Sequence, residues 1–303
     1  MDKQVQIEIG GRCGNQLFQY AYARALLKNY FPDYKIKCSF RNVYKSGRKE
    51  DGWENSLQYF NLDYSEEVSK CHIDFVQKVI CCLFYGFKLI FPDDVEIKMQ
   101  PFLNRFGIYA MRKSYYVPVG KSNAKNIYCR GRFEAHEYFD CIREDLLREF
   151  TPKFPTMEHN KKLLLDISSH ESVCVTIRRG DFLYKGNEQF NVCSEHYYQE
   201  AMKRIVEEIP YAKFFVFTDD VKGVKDHFSF PYEVVFESGD DPVWEKLRLM
   251  YSCKHFIIGN STFSWWAQYL GRNPSKIVYA PKRWRNSDED CSGMYLPYMK
   301  YID

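Results

Sequence analysis

Between residues 172 and 279 the chain repeats one rhythm: a short apolar run, a polar loop, then a stretch with helical spacing. The runs at 172–177, 213–218, 255–258 and 276–279 are rich in Val, Ile, Phe and Tyr. Short continuous apolar strands suit a sheet buried on both faces, and strands alternating with helices form a parallel sheet covered on both sides. Helical stretches at 195–208, 243–251 and 263–270 supply the cover. This half is predicted to be a doubly wound α/β unit.

The other half opens the same way. Residues 5–9 read as a buried strand, Gly10 and Gly11 break it, and Asn15 begins a helix with Leu17, Ala21 and Ala25 on one face. A second strand is predicted at 35–40, a polar loop at 47–56, a helix at 65–89, a strand at 127–133 and a helix at 136–150 that Pro152 stops. Two prolines within 151–155 mark a linker. With 303 residues the chain can bury two cores, so domains are expected at 1–150 and 151–303.

A net charge of +3 is too mild for a nucleic-acid binder. The 11 cysteines are scattered, with no metal-binding pairs, which suits reduced thiols in a cytoplasmic protein. Met1 leads directly into strand-like VQIEI, with no signal-peptide pattern. The apolar stretch 79–91 contains Gly86 and Lys88 and falls short of the ~20 residues that span a bilayer. It reads as a buried helix, or as one that rests on a membrane surface.

In an open parallel sheet, ligands bind beyond the carboxyl ends of the strands. Four loops there are strongly polar: Gly10-Gly11-Arg12-Cys13-Gly14-Asn15, Arg178-Arg179-Gly180-Asp181, Thr218-Asp219-Asp220 and Gly259-Asn260-Ser261-Thr262. They are expected to converge on one cleft. Adjacent arginines leaving a strand offer planar, permanently charged forks to a diphosphate, although a surface pair bridged to Asp181 would read alike. Asn260, Ser261 and Thr262 sit where a helix begins, as caps and as donors to an anion. Asp219 or Asp220 suits a ribose or a loop hydrogen bond. Neither that pair nor the 288–290 acidic tract has metal-ligand partners at suitable spacing, so no metal is expected. Trp265 and Trp266 point different ways on one helix and read as core. No Walker loop or G-x-G-x-x-G fingerprint is present.

The blocks GGRCGNQLFQYA, GRFEAHEYFD, VTIRRGDF, FVFTDD, WEKLRLMYSC and NSTFSWWAQYL, in this order over nearly the whole chain, closely resemble the bacterial α-1,2-fucosyltransferases of glycosyltransferase family eleven. The GRCGNQ loop is also similar to that of protein O-fucosyltransferases. The resemblance implies a GT-B fold, two Rossmann-like domains facing each other across a cleft, with the N-terminal one on the acceptor side and the C-terminal one binding the nucleotide sugar. It implies inverting transfer of L-fucose from GDP-fucose to a glycan hydroxyl, α-1,2 on a galactose-like residue, in bacterial surface polysaccharide assembly. No cofactor beyond that donor substrate is implied.

By the same resemblance Arg178 would neutralise the departing diphosphate, Ser261 and Thr262 would assist, and Gly14, Asn15 and Gln16 would close over the donor. Arg179, Asp219, Asp220 and Asn260 complete the expected binding set. An inverting displacement also needs a base, usually a carboxylate. Asp181 and Glu188 are the nearest candidates.

This chain carries Thr176 where the family has His before the arginine pair, and Lys246 where it has an acid, and its 11–14 loop is one residue longer. Both substituted positions are assigned to nucleotide-sugar binding. They open a second reading, the same fold and chemistry with another nucleotide or sugar. A third is a relative that binds glycan or nucleotide without turnover. The expected site is cytoplasmic, with peripheral contact to the membrane's cytoplasmic face.

Overall fold

A computed structural model describes residues 3–48, 52–91 and 95–302. The chain divides into two compact units, Met1–Phe150 with Ser292–Met294, and Thr151–Cys291 with Tyr295–Asp303.

The first unit is built on five parallel strands. In chain order its elements are β1 (Gln4–Glu8), α1 (Cys13–Tyr30), β2 (Lys35–Ser39), α2 (Arg41–Lys45), β3 (Ser65–Glu67), α3 (Phe75–Ile90), α4 (Val95–Arg105), β4 (Ile108–Met111), β5 (Asn126–Gly131) and α5 (Arg143–Glu149). The strand order is β3-β2-β1-β5-β4. Val5 and Ile7 of β1 are fully buried between β2 and β5. α1 is buried on more than the face that Leu17, Ala21 and Ala25 define, since Phe18, Tyr20 and Tyr22 are buried as well. A helix apolar nearly all round belongs inside a core.

Two expectations change here. The helix predicted at 65–89 begins only at Phe75, because residues 65–67 add edge strand β3 alongside β2, with Lys37 opposite Ser65. Asp74 caps α3 through a reciprocal box: its carboxylate accepts from Gln77 N–H at 2.8 Å, and Gln77 Oε1 accepts from Asp74 N–H at 3.2 Å. The helix predicted at 136–150 is α5 alone, preceded by two single 3₁₀ turns at His136–Tyr138 and Asp140–Ile142. Phe139, with φ −136° and ψ 5°, interrupts the helical backbone between them.

The second unit carries six parallel strands. Its elements run α6 (Lys161–Ser169), β6 (Ser172–Ile177), α7 (Glu195–Glu208), β7 (Lys213–Thr218), α8 (Val221–His227), β8 (Val234–Phe236), α9 (Val243–Tyr251), β9 (His255–Ile257), α10 (Thr262–Leu270), β10 (Val278–Pro281) and β11 (Met299–Ile302). The order β11-β10-β9-β6-β7-β8 is that of a dinucleotide-binding sheet. Every residue of β6 is buried, Ser172 and Thr176 among them, as a strand in the middle of a sheet covered on both faces requires. α7 packs Tyr197, Ala201, Met202 and Ile205 on that sheet, and Trp265 and Trp266 of α10 are fully buried.

Candidate functional site

Each sheet has one pair of neighbouring strands that are not consecutive in the chain, and this pair marks its switch point. In the second unit that switch lies between β6 and β9, in the first between β1 and β5. Loops leaving the carboxyl ends of such neighbouring strands separate and leave a crevice for ligand.

At the β6 exit, Arg178 Nη1 lies 2.9 Å from Asp219 Oδ2, just beyond β7. The other Asp219 oxygen accepts the Arg179 backbone N–H at 2.9 Å. Asp219 thus orients the guanidinium and fixes the turn that carries it. Gly180 permits this closeness, because a Cβ there would stand 2.3 Å from Asp219 Oδ2. Arg179 Nε reaches Asp220 Oδ2 at 3.4 Å, while Asp220 Oδ1 caps α8 by accepting Gly223 N–H at 2.8 Å. The arginines are held by Asp219 and Asp220 of the neighbouring loop. About a quarter of the Arg178 side chain remains open to solvent.

At the β9 exit, Gly259 N–H donates to Thr176 Oγ1 at 2.9 Å. Thr176 is buried in β6, and its carbonyl accepts the Tyr198 hydroxyl at 3.0 Å. Its side chain therefore joins the two strands of the switch. Asn260 is buried and donates to the carbonyls of Phe190 at 2.9 Å and Trp284 at 3.0 Å, so it pins two loops beside the site. Ser261 caps α10, its Oγ accepting Phe263 N–H at 3.2 Å, and Thr262 is the first helical residue. The helix start and the Arg178 loop leave adjacent strands. These are the two elements that the sequence reading expects to seat an anion, the helix start through its free N–H groups.

Lys246 on α9 is turned inward. Its Nζ lies 3.1 Å from Gly239 O, 3.4 Å from Thr218 O and 3.3 Å from Glu237 Oε2. The contribution this geometry supports is to hold the loop after β8. Glu237 is fully buried and burial pushes its carboxyl up, with Lys246 opposing that shift. Asp241 accepts from Asn160 at 2.7 Å and pairs with His159 at 2.7 Å. Burial raises its carboxyl, but the bonds from Asn160 and His159, with a further one from Glu237, outweigh it and bring it below the ordinary value. Reasoning from sequence missed this cluster; an acid at the end of β8 carries no local motif.

The first unit has its own construction at the switch. Gly10 N–H donates to Gln19 Oε1 at 3.0 Å, and Gln19 Nε2 donates to Gly131 O at 3.0 Å, which ties the β1 and β5 exits. Asn15, on the first turn of α1 beside Gly14, donates to Glu134 Oε1 at 3.1 Å, and Ser114 Oγ donates to Glu134 Oε2 at 2.7 Å. Glu134 is buried, and it orients the Asn15 amide. Gln16 is fully buried and bonds Gly11 O, Glu54 O and Ser56 N, so it shapes the loop from within.

Of the two base candidates, Glu188 is exposed and accepts Gly186 N–H at 3.0 Å. That bond holds its carboxyl below the ordinary value, which keeps it ionised but less basic. The Asp181 side chain lies outside the described residues. Among the described residues no three His, Cys, Asp or Glu side chains gather into a metal-binding group.

Comparison with known proteins agrees with this architecture. Residues 4–302 match Glycosyl transferase family 11. The chain is 29% identical to an α-1,2-colitosyltransferase of Escherichia coli, covering 94% of this chain and 93% of that one. It is 27% identical to the O-antigen biosynthesis glycosyltransferase WbnK of Escherichia coli, covering 91% and 93%. The solved α-1,6-fucosyltransferase NodZ from Bradyrhizobium, crystallised with GDP, superposes with a TM-score of 0.53 at 16% identity over 92% of this chain and 95% of that one. At that identity the likeness speaks for the fold, which is of the GT-B class. With nearly its whole length matched, the chain belongs to glycosyl transferase family 11 and is a glycosyltransferase.

Proposed function

We propose that the protein transfers L-fucose from GDP-fucose to a hydroxyl of a galactose-like residue, forming an α-1,2 bond with inversion and without metal, during assembly of a bacterial surface glycan. The observation that carries this reading is the Arg178 guanidinium, held by Asp219 at the switch point beside the α10 helix start. Breaking the sugar–phosphate bond places negative charge on the departing diphosphate. A fixed cation and fixed N–H donors lower that barrier because they need not reorganise as the charge forms. Ser261 and Thr262 supply the second part of the seat, and Thr176 and Asn260 keep its loops in place. Gly14, Asn15 and Gln16 act from the first unit's loop, Asn15 through an amide that Glu134 has already oriented. The acceptor hydroxyl loses its proton to a carboxylate, for which Asp181 and Glu188 are the candidates. The name of one relative, the O-antigen biosynthesis glycosyltransferase WbnK, supports O-antigen as the glycan class.

A second reading keeps the site and changes the sugar to colitose, which is fucose without its 3-hydroxyl. The colitosyltransferase relative favours it. Calorimetric titration with GDP, UDP, CDP and dTDP in chelator tests the nucleotide, and GDP is expected to bind preferentially. Preference for another nucleotide refutes the donor. Faster turnover of GDP-colitose than of GDP-fucose selects the second reading.

A further inference from the structure

Helix α3 is apolar on two opposite sides. One side packs Ile80, Cys81 and Phe84 into a core with Leu103 and Ile108. The other presents Phe75, Val79, Leu83 and Ile90, which are 79%, 42%, 56% and 68% exposed. These four recur at helical spacing, and no charged side chain interrupts their stripe. A helix apolar all round is normally buried on every side, yet this one lies on the surface of its unit. Ile97 and Phe102 of neighbouring α4 are exposed as well.

The stripe adjoins a basic basin. A surface cavity of about 560 Å³ is lined by Arg41, Lys45, Lys70, His72 and Lys78, with no acidic side chain in its wall. Lys78 belongs to α3, so basin and stripe meet along one helix. Among the described residues, the side chains of Arg41, Lys45, Lys70 and Lys78 make no ion pair. Residues 70–125 hold nine Lys and Arg against four Asp and Glu, a net +5, whereas the whole chain carries only +3.

We propose that the α3–α4 face lies on an anionic lipid bilayer, with the stripe inserted at the headgroup boundary and the basin holding lipid phosphate groups. No helix among the described residues is long and apolar enough to cross a membrane, so the contact is in the plane of the surface. The charge selects this occupant. A second copy docked through the same face would bring two strongly basic segments together, whereas an anionic leaflet complements them.

Co-sedimentation of the full chain with vesicles of phosphatidylcholine alone, or with 30% phosphatidylglycerol, tests the proposal. Binding to the anionic vesicles is expected to exceed that to neutral ones by at least tenfold. Leu83→Glu/Ile90→Glu should abolish it, and Lys45→Glu/Lys70→Glu should weaken it about tenfold or more. Unchanged circular dichroism and melting would show that the variants are folded. Wild-type protein left in the supernatant with anionic vesicles overturns the proposal. So does binding that the folded variants retain, or a wild-type dimer that Leu83→Glu/Ile90→Glu dissociates.

Discussion

Replacing Arg178 by alanine separates chemistry from fold. Its guanidinium meets Asp219 at 2.9 Å, with each side chain about a quarter exposed, so solvent takes over much of what the pair loses. Ion pairs of that exposure contribute about 0–1 kcal/mol, and 1 kcal/mol moves the melting temperature of a unit of this size by roughly 2–4 °C. In the proposed reaction the same group would face charge that grows only as the bond breaks. Removing one such donor costs about 2.7–4 kcal/mol, or roughly 10²–10³ in kcat. The assay is initial-rate release of the nucleoside diphosphate at saturating donor, alongside a melting curve. Arg178→Lys should recover part of the loss, since a point charge replaces the fork without its geometry. Turnover of Arg178→Ala within threefold of wild type would refute the assignment, as would a rise in KM with kcat unchanged.

Glu237 sets a pH dependence. Burial raises its carboxyl above the ordinary 4.5, so its contribution is complete below that value and is lost as pH rises through the folded value. Glu237→Gln should flatten that part of the melting-temperature profile; an unchanged slope would place its origin elsewhere. Thr176→Val removes a buried acceptor of Gly259 N–H, whose second acceptor, Thr176 O at 3.2 Å, remains. A loss of about 0.5–1.5 kcal/mol in denaturant unfolding is expected, with weaker nucleotide binding in calorimetry. At Gly131 a Cβ would stand 1.7 Å from Met111 O in the β4–β5 ladder, whereas at Gly10 nothing lies within 4 Å. Gly131→Ala should cost about 3 kcal/mol or more by denaturant melt, and Gly10→Ala should be near neutral.

Four of the six strands of the second sheet were legible because their burial is written in their own residues: β6 and β7 match their apolar runs, and α7 and α9 match their spacing residue for residue, while β8 and β11 were not foreseen. Edge strands β3 and β8 are three residues long and part-exposed, and three residues set no period. The Asp74–Gln77 capping box was readable and would have placed the start of α3 correctly. Among the candidate residues, local signals pointed to Arg178, Ser261 and Asn15. Glu134 and Glu237 escaped notice because their roles depend on partners distant in sequence, Asn15 and Lys246. The inward turn of Lys246 was equally invisible, since it follows from the loop it meets after β8.

Ser292–Met294 returns to the first unit before β11 closes the second. Gly293 N–H donates to Ser114 O at 2.9 Å, and Ser114 is the residue whose hydroxyl bonds Glu134. Three residues near the end of the chain therefore buttress the carboxylate that aims Asn15, near its beginning. A fragment cut after Phe150 would lack that buttress, and its complement would carry Met294, buried in the whole protein, into water. Split-enzyme or domain-swap designs that break the chain at its obvious linker should yield a first-unit fragment whose loop no longer holds its amide. Chimeras between relatives would do better to exchange residues 151–291 together with 295–303 and leave Ser292–Met294 with the parent of the first unit.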